Sequence, residues 1–183
     1  MDQPFYDELL YVCKVCRVDT TGINSISKLT NLIKTDKKIN WHTLSASKTI
    51  ILSDKFYIKF KKNIKWDSAC KYQKLTEPVL YKVHPLIDRL DFHCLSSYQV
   101  LSEQFIRDFK DKLNWFSISY NQNLSSEFIS EFENKIDFNA YSNNKYLDIN
   151  IVKKYWDRFK DKNDLLINPN LPDNIKKLIK IYQ

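Results

Sequence analysis

The sequence predicts an all-α fold, an α-solenoid of stacked short helical hairpins with about six repeats and a non-repeat helical N-terminal cap. Three observations predict it. A leucine recurs at Leu52, Leu75, Leu101, Leu124, Leu147 and Leu171, at intervals of 23, 26, 23, 23 and 24 residues. An aromatic recurs at Trp41, Trp66, Phe92, Trp115 and Phe138, at intervals of 25, 26, 23 and 23. Between these markers the apolar residues keep a helical period: Leu101, Phe105 and Phe109, then Leu124, Phe128 and Phe132, fall at i, i+4 and i+8 and form one stripe. A unit this short cannot cover its own stripe, so it is expected to pack on its neighbours.

The elements follow in chain order. Residues 1–38 lie outside the leucine frame and are read as a helical cap, with a stripe through Phe5, Leu9, Val12 and Cys16 and a second segment from Ile26 to Ile33. The turn-like Asp19-Thr20-Thr21-Gly22 separates them. Residues 39–183 are read as one continuous repeat array. After each leucine stands Ser53, Thr76, Ser102, Ser125 or Asp148, residue types whose side-chain oxygen caps a helix N-terminus, with Pro172 in the last unit. Glu77, Glu103 and Glu127 then sit near the positive end of the helix dipole. Asn40, Asp91, Asn114 or Asp137 directly before the aromatic marks the start of a second, shorter helix. The stripe residues Phe105, Phe109, Phe128, Phe132 and Trp115 are expected in the core. The one irregularity is a three-residue expansion near His84 to Asp91.

The pattern aromatic-x-x-(I/L)-S-x-x-Q-x-L-S-x-x-F-I-x-x-F, clearest in Trp115 to Phe132 and in Ser97 to Phe109, resembles the short repeats of uncharacterised proteins of giant DNA viruses of the mimivirus type. The resemblance covers roughly Ile39 to Tyr182. It implies a viral protein and a repeat architecture. It implies no catalytic residues.

Composition narrows the function classes. Hydrophobic residues make up 43% of the 183, enough for a continuous core, and the single glycine, Gly22, excludes glycine-rich phosphate loops and Rossmann fingerprints. No segment has the length of uninterrupted apolar sequence that a membrane span needs, and Asp2, Asp7 and Glu8 do not form the basic start of a signal peptide. The expectation is a soluble cytoplasmic protein with no membrane partner, in the host cytoplasm or the virion if viral. Cys13, Cys16, Cys70 and Cys94 are then expected as reduced thiols. Cys13-x2-Cys16 has zinc-like spacing, but a second close pair is missing, so structural thiols are the expectation, with no metal and no cofactor. The repeated serines are explained by capping, which leaves no residue singled out as a catalyst. An enzyme is not expected.

Charge is uneven. Residues 1–86 hold 15 Lys and Arg against 8 Asp and Glu, while residues 87–183 hold 14 of each. Lys55, Lys59 and Lys62 are spaced i, i+4 and i+7 away from Phe56 and Phe60, with Lys65, Lys71 and Lys74 close behind, forming a candidate basic binding stripe. Only four arginines are present, Arg17, Arg89, Arg107 and Arg158, which argues against base-specific readout. The expected function is a non-catalytic protein–protein interaction scaffold with a viral or host protein partner. The alternative is a nucleic-acid-binding module using the basic first half.

Overall fold

A computed structural model of the chain describes residues 2–87 and 89–181. Among the described residues all regular structure is helical. The order is α1 (Gln3–Val15), α2 (Ile26–Thr35), α3 (Trp41–Ala46), α4 (Asp54–Lys59), α5 (Trp66–Tyr72), α6 (Glu77–Val83), α7 (Arg89–Tyr98) and α8 (Glu103–Asp108). It continues with α9 (Trp115–Asn121), α10 (Ser126–Glu131), α11 (Phe138–Ser142), α12 (Ile149–Lys154), α13 (Asn163–Ile167) and α14 (Asp173–Ile181). The chain divides into two compact units, residues 1–91 and 92–183.

The helices start where the capping residues require. Oγ of Ser53, Ser102 and Ser125 accepts the amide N–H three residues on, from Phe56, Phe105 and Phe128, at 3.2, 3.1 and 3.1 Å. Three further helices, α3, α9 and α11, start in the same way: Asn40, Asn114 and Asp137 accept from Thr43, Ser117 and Ala140 at 3.0, 2.8 and 2.9 Å, whereas α5 and α13 start without a side-chain cap bond. Each bond satisfies one of the first-turn donors that a helix cannot pair internally. Two expected caps differ. Thr76 makes no cap bond and instead donates its hydroxyl to Asp54 at 2.7 Å. Asp91 lies inside α7, which opens at Arg89, so it does not occupy the cap position. The expansion between His84 and Asp91 supplies the extra residues that lengthen this helix, and it includes Asp88, which lies outside the described residues.

In the unit of residues 1–91, α1 packs on α2, α3 on α5 and α4 on α6. Phe5, Leu9, Leu29, Ile33, Phe56 and Phe60 are its buried core. The N-terminal segment repeats the local pattern of the later hairpins: Asp2 accepts from Phe5 N–H at 3.3 Å, and Phe5 and Leu9 stand at the same offsets from their cap as Phe56 and Phe60 do from Ser53. α1 is 13 residues long, against six for α4. The extra length shifts the leucine frame. The turn after α1 uses Arg17 at φ 56°, and Gly22 adopts φ 73°, the left-handed region that costs glycine least.

In the unit of residues 92–183, α9 packs on α11 and α11 on α13, with α14 against α13. Phe105, Ile106, Phe128 and Ile129 are fully buried, and Phe109 nearly so. Phe132 and Trp115 are half-buried, a correction to their expected core placement. The Trp115 indole N–H donates to Lys110 C=O at 2.8 Å, as the buried Trp66 does to Lys61 C=O at 3.0 Å, so the difference in burial comes from what covers each ring and not from this bond. The Trp115 ring centroid lies 5.2 Å from that of Phe132, and the two rings together cover Phe128 from outside.

Candidate interaction surface

A repeated set of polar bonds joins α3 to the start of α5, α7 to the start of α9 and α9 to the start of α11. Ser96 Oγ donates to Phe92 C=O at 2.8 Å and accepts Asn114 N–H at 3.0 Å. Ser119 Oγ does the same one hairpin later, donating to Trp115 C=O at 2.8 Å and accepting Asp137 N–H at 3.0 Å. In the first unit Ser45 Oγ accepts Lys65 N–H at 3.0 Å. Each serine therefore satisfies the amide that precedes the next hairpin's second helix. Thr30 occupies the same offset in α2, five residues after its cap Ser25, and its buried Oγ1 has no hydrogen-bond partner among the described residues.

A second series runs through buried carboxamides. Gln122 Nε2 donates to the C=O groups of Ser96 and Gln99 at 3.1 and 2.8 Å, while its Oε1 accepts Leu101 N–H at 3.0 Å. Asn144 Nδ2 takes the carbonyls of Ser119 and Gln122 at 2.7 and 2.9 Å, and Asn168 Nδ2 those of Ser142 and Asn144 at 2.7 and 2.9 Å. Gln73 donates to Ser47 C=O in the first unit and accepts the Tyr57 hydroxyl at 2.9 Å. Short helices end in carbonyls with no intrahelical donor. Here the side-chain amide of the following hairpin supplies the donor. The sequence carried this signal in the glutamine of the repeat pattern, but gave it no role.

Above the carboxamides of residues 92–183 lies a groove of about 410 Å³. Tyr98 and Val100 line one end, Tyr120 and Asn121 the middle, and Asn143 and Tyr146 the far end. These aromatics are exposed, Tyr98 at 55%, Tyr120 at 45% and Tyr146 at 44%. Lys145 Nζ lies 4.8 Å above the Tyr146 ring. A separate, apolar groove of about 540 Å³ lies between α12 and α14, lined by Val152, Trp156, Ile175 and Leu178.

The six lysines of the candidate basic stripe are all exposed, while Phe56 and Phe60 are buried beneath them. They do not lie on one helix. α4 ends at Lys59, so Lys62 falls in the following turn; Lys65 sits at the cap position of α5, Lys71 near its end, and Lys74 beyond it. Lys55 pairs with the Asp2 carboxylate and lies 4.9 Å over the Phe5 ring, which ties it to α1. Lys71 and Lys48 lie 5.3 and 5.6 Å from the Tyr72 ring centroid. None of the six lines the two grooves described.

Cys13 is buried and Cys16 half-buried at the end of α1. Burial pushes the Cys13 thiol up to about 11, with Cys16 and Asp36 adding to the rise, and burial also raises Cys16. Both thiols are protonated at neutral pH, the form that neither binds metal nor attacks carbon well. Among the described residues no group of three or more His, Cys, Asp and Glu side chains is arranged to hold a metal ion, and no helix is long and apolar enough to cross a membrane.

No known family model, no curated protein and no solved structure matches the chain.

Proposed function

We propose that the chain is a non-catalytic protein–protein interaction scaffold, built as an α-solenoid of the giant-virus type, whose partner is a viral or host protein met in the cytoplasm. The observation that carries this reading is the row of exposed tyrosines, Tyr98, Tyr120 and Tyr146, on consecutive hairpins over a floor of satisfied carboxamides. Large aromatics at a surface are the side chains that anchor protein interfaces. The periodic serine and carboxamide bonds support the solenoid, since the same contact recurs from one hairpin to the next. A non-catalytic role is supported by what the hydroxyls already do: Ser53, Ser102 and Ser125 are committed to helix amides.

The test is affinity capture with the full chain, followed by identification of what is retained at about 50 and about 200 mM salt. A nucleic acid held through lysines loses orders of magnitude in affinity over that range, because phosphate contacts release counterions. A defined protein retained at both concentrations, and bound again when purified, is the expected result. Retention of nucleic acid alone, lost at the higher salt, overturns the reading in favour of the basic lysines of the first unit.

A further inference from the structure

We propose that the groove over α7, α9 and the turn after α11 binds an extended polypeptide segment of neutral or mildly acidic composition. This rests on the scaffold reading and specifies its ligand. The groove crosses consecutive hairpins, so at helix spacings of about 8–10 Å its length is about 16–20 Å. An extended chain rising about 3.3 Å per residue fills that with roughly five or six residues. The volume of about 410 Å³ falls within the range of about 300–1,000 Å³ usual for ligand sites.

The hydrogen-bonding groups match a peptide backbone. Asn121 Nδ2 donates to Ser117 C=O at 3.1 Å, and Asn143 Nδ2 to Ser142 Oγ at 3.2 Å. Each bond fixes its carboxamide, while the Oδ1 atoms of both residues accept no hydrogen bond among the described residues. Each of these acceptors is available to a backbone N–H of a bound chain. Tyr98, Tyr120 and Tyr146 offer flat surfaces for the side chains between, at a low entropy cost for ordering.

Charge selects peptide over nucleic acid. Among the described residues Lys145 is the only charged side chain lining the groove, and residues 92–183 hold 13 Lys and Arg against 12 Asp and Glu. Stacked bases on tyrosines would bring a phosphate with each nucleotide, and one lysine cannot neutralise a row of them. A single ammonium suits one carboxylate on a peptide.

The experiment screens the full chain against an immobilised library of capped nonapeptides, then measures the selected peptides by fluorescence anisotropy beside a single-stranded oligouridylate. Wild type is expected to bind selected peptides, with Tyr120→Ala and Asn143→Ala each weakening binding at least tenfold at unchanged melting temperature. Tyr11→Ala, in the first unit, is expected to leave binding unchanged. Absence of any peptide binding, peptide binding indifferent to Tyr120→Ala and Tyr146→Ala, or Tyr120-dependent oligouridylate binding overturns the proposal. If a triple Tyr98, Tyr120 and Tyr146 to Ala variant still captures the same purified protein partner, the groove proposal fails while the scaffold reading stands.

Discussion

Ser119 Oγ accepts the Asp137 N–H at 3.0 Å while donating to Trp115 C=O at 2.8 Å, so one hydroxyl closes a turn of its own helix and anchors the start of the next hairpin. Replacing it by alanine leaves the part-buried Asp137 amide without this partner, which costs at most about 1–3 kcal/mol. At the matching offset Thr30 Oγ1 has no partner among the described residues, and Thr30→Val removes an unpaired polar atom at nearly constant volume. Urea unfolding is expected to show Ser119→Ala destabilised and Thr30→Val unchanged or slightly stabilised. Equal losses for both would mean the serine bond contributes nothing.

The carboxamide of Gln122 serves three backbone groups at once. Gln122→Leu strands two carbonyls and one amide and is expected to destabilise by at least about 2 kcal/mol, despite adding apolar surface. A leucine variant as stable as wild type in denaturant would show that water replaces the side chain at this step.

Phe128 is fully buried and Phe132 only half. Phe128→Ala is expected to cost about 3–5 kcal/mol, and Phe132→Ala roughly half of that, because part of its ring already meets solvent. Reversal of this order in unfolding measurements would contradict the assigned helix phase.

The Cys13 thiol, raised by burial from 9.0 to about 11, holds its proton more tightly in the folded state than in the unfolded one. Its contribution to stability is therefore complete below about pH 9 and lost as the pH climbs from 9 to 11. Unfolding followed across that window is expected to show a shallower decline in Cys13→Ala than in wild type. At pH near neutral, iodoacetamide is expected to modify half-buried Cys16 before Cys13.

Charge reversal of Lys55, Lys59 and Lys62 to Glu is expected to move the melting temperature by only a few degrees, since all three are exposed and surface pairs such as Lys55 with Asp2 contribute at most about 1 kcal/mol. Under the scaffold reading, capture of the protein partner survives the change at about 200 mM salt. Loss of capture at that salt, in a variant that still folds, would assign the binding to the lysines.

The sequence by itself determined the starts of the helices that carry a capping side chain, because capping and the helical stripe are local: Ser102, Asn114 and Phe105 need only their near neighbours to state their roles, whereas α7 opens at Arg89, ahead of the expected cap at Asp91. It also carried the serine and glutamine of the repeat. It could not state what those two residues bond to, since the partners of Ser96 and Gln122 lie 18 to 26 residues away and are chosen by packing. Tertiary structure alone decided that Trp115 sits at a rim, that Lys62 leaves the helix of Lys55, and that Tyr98, Tyr120 and Tyr146 line one groove. Local periodicity specifies which side of a helix is apolar, whereas exposure depends on how much of that side the next hairpin covers.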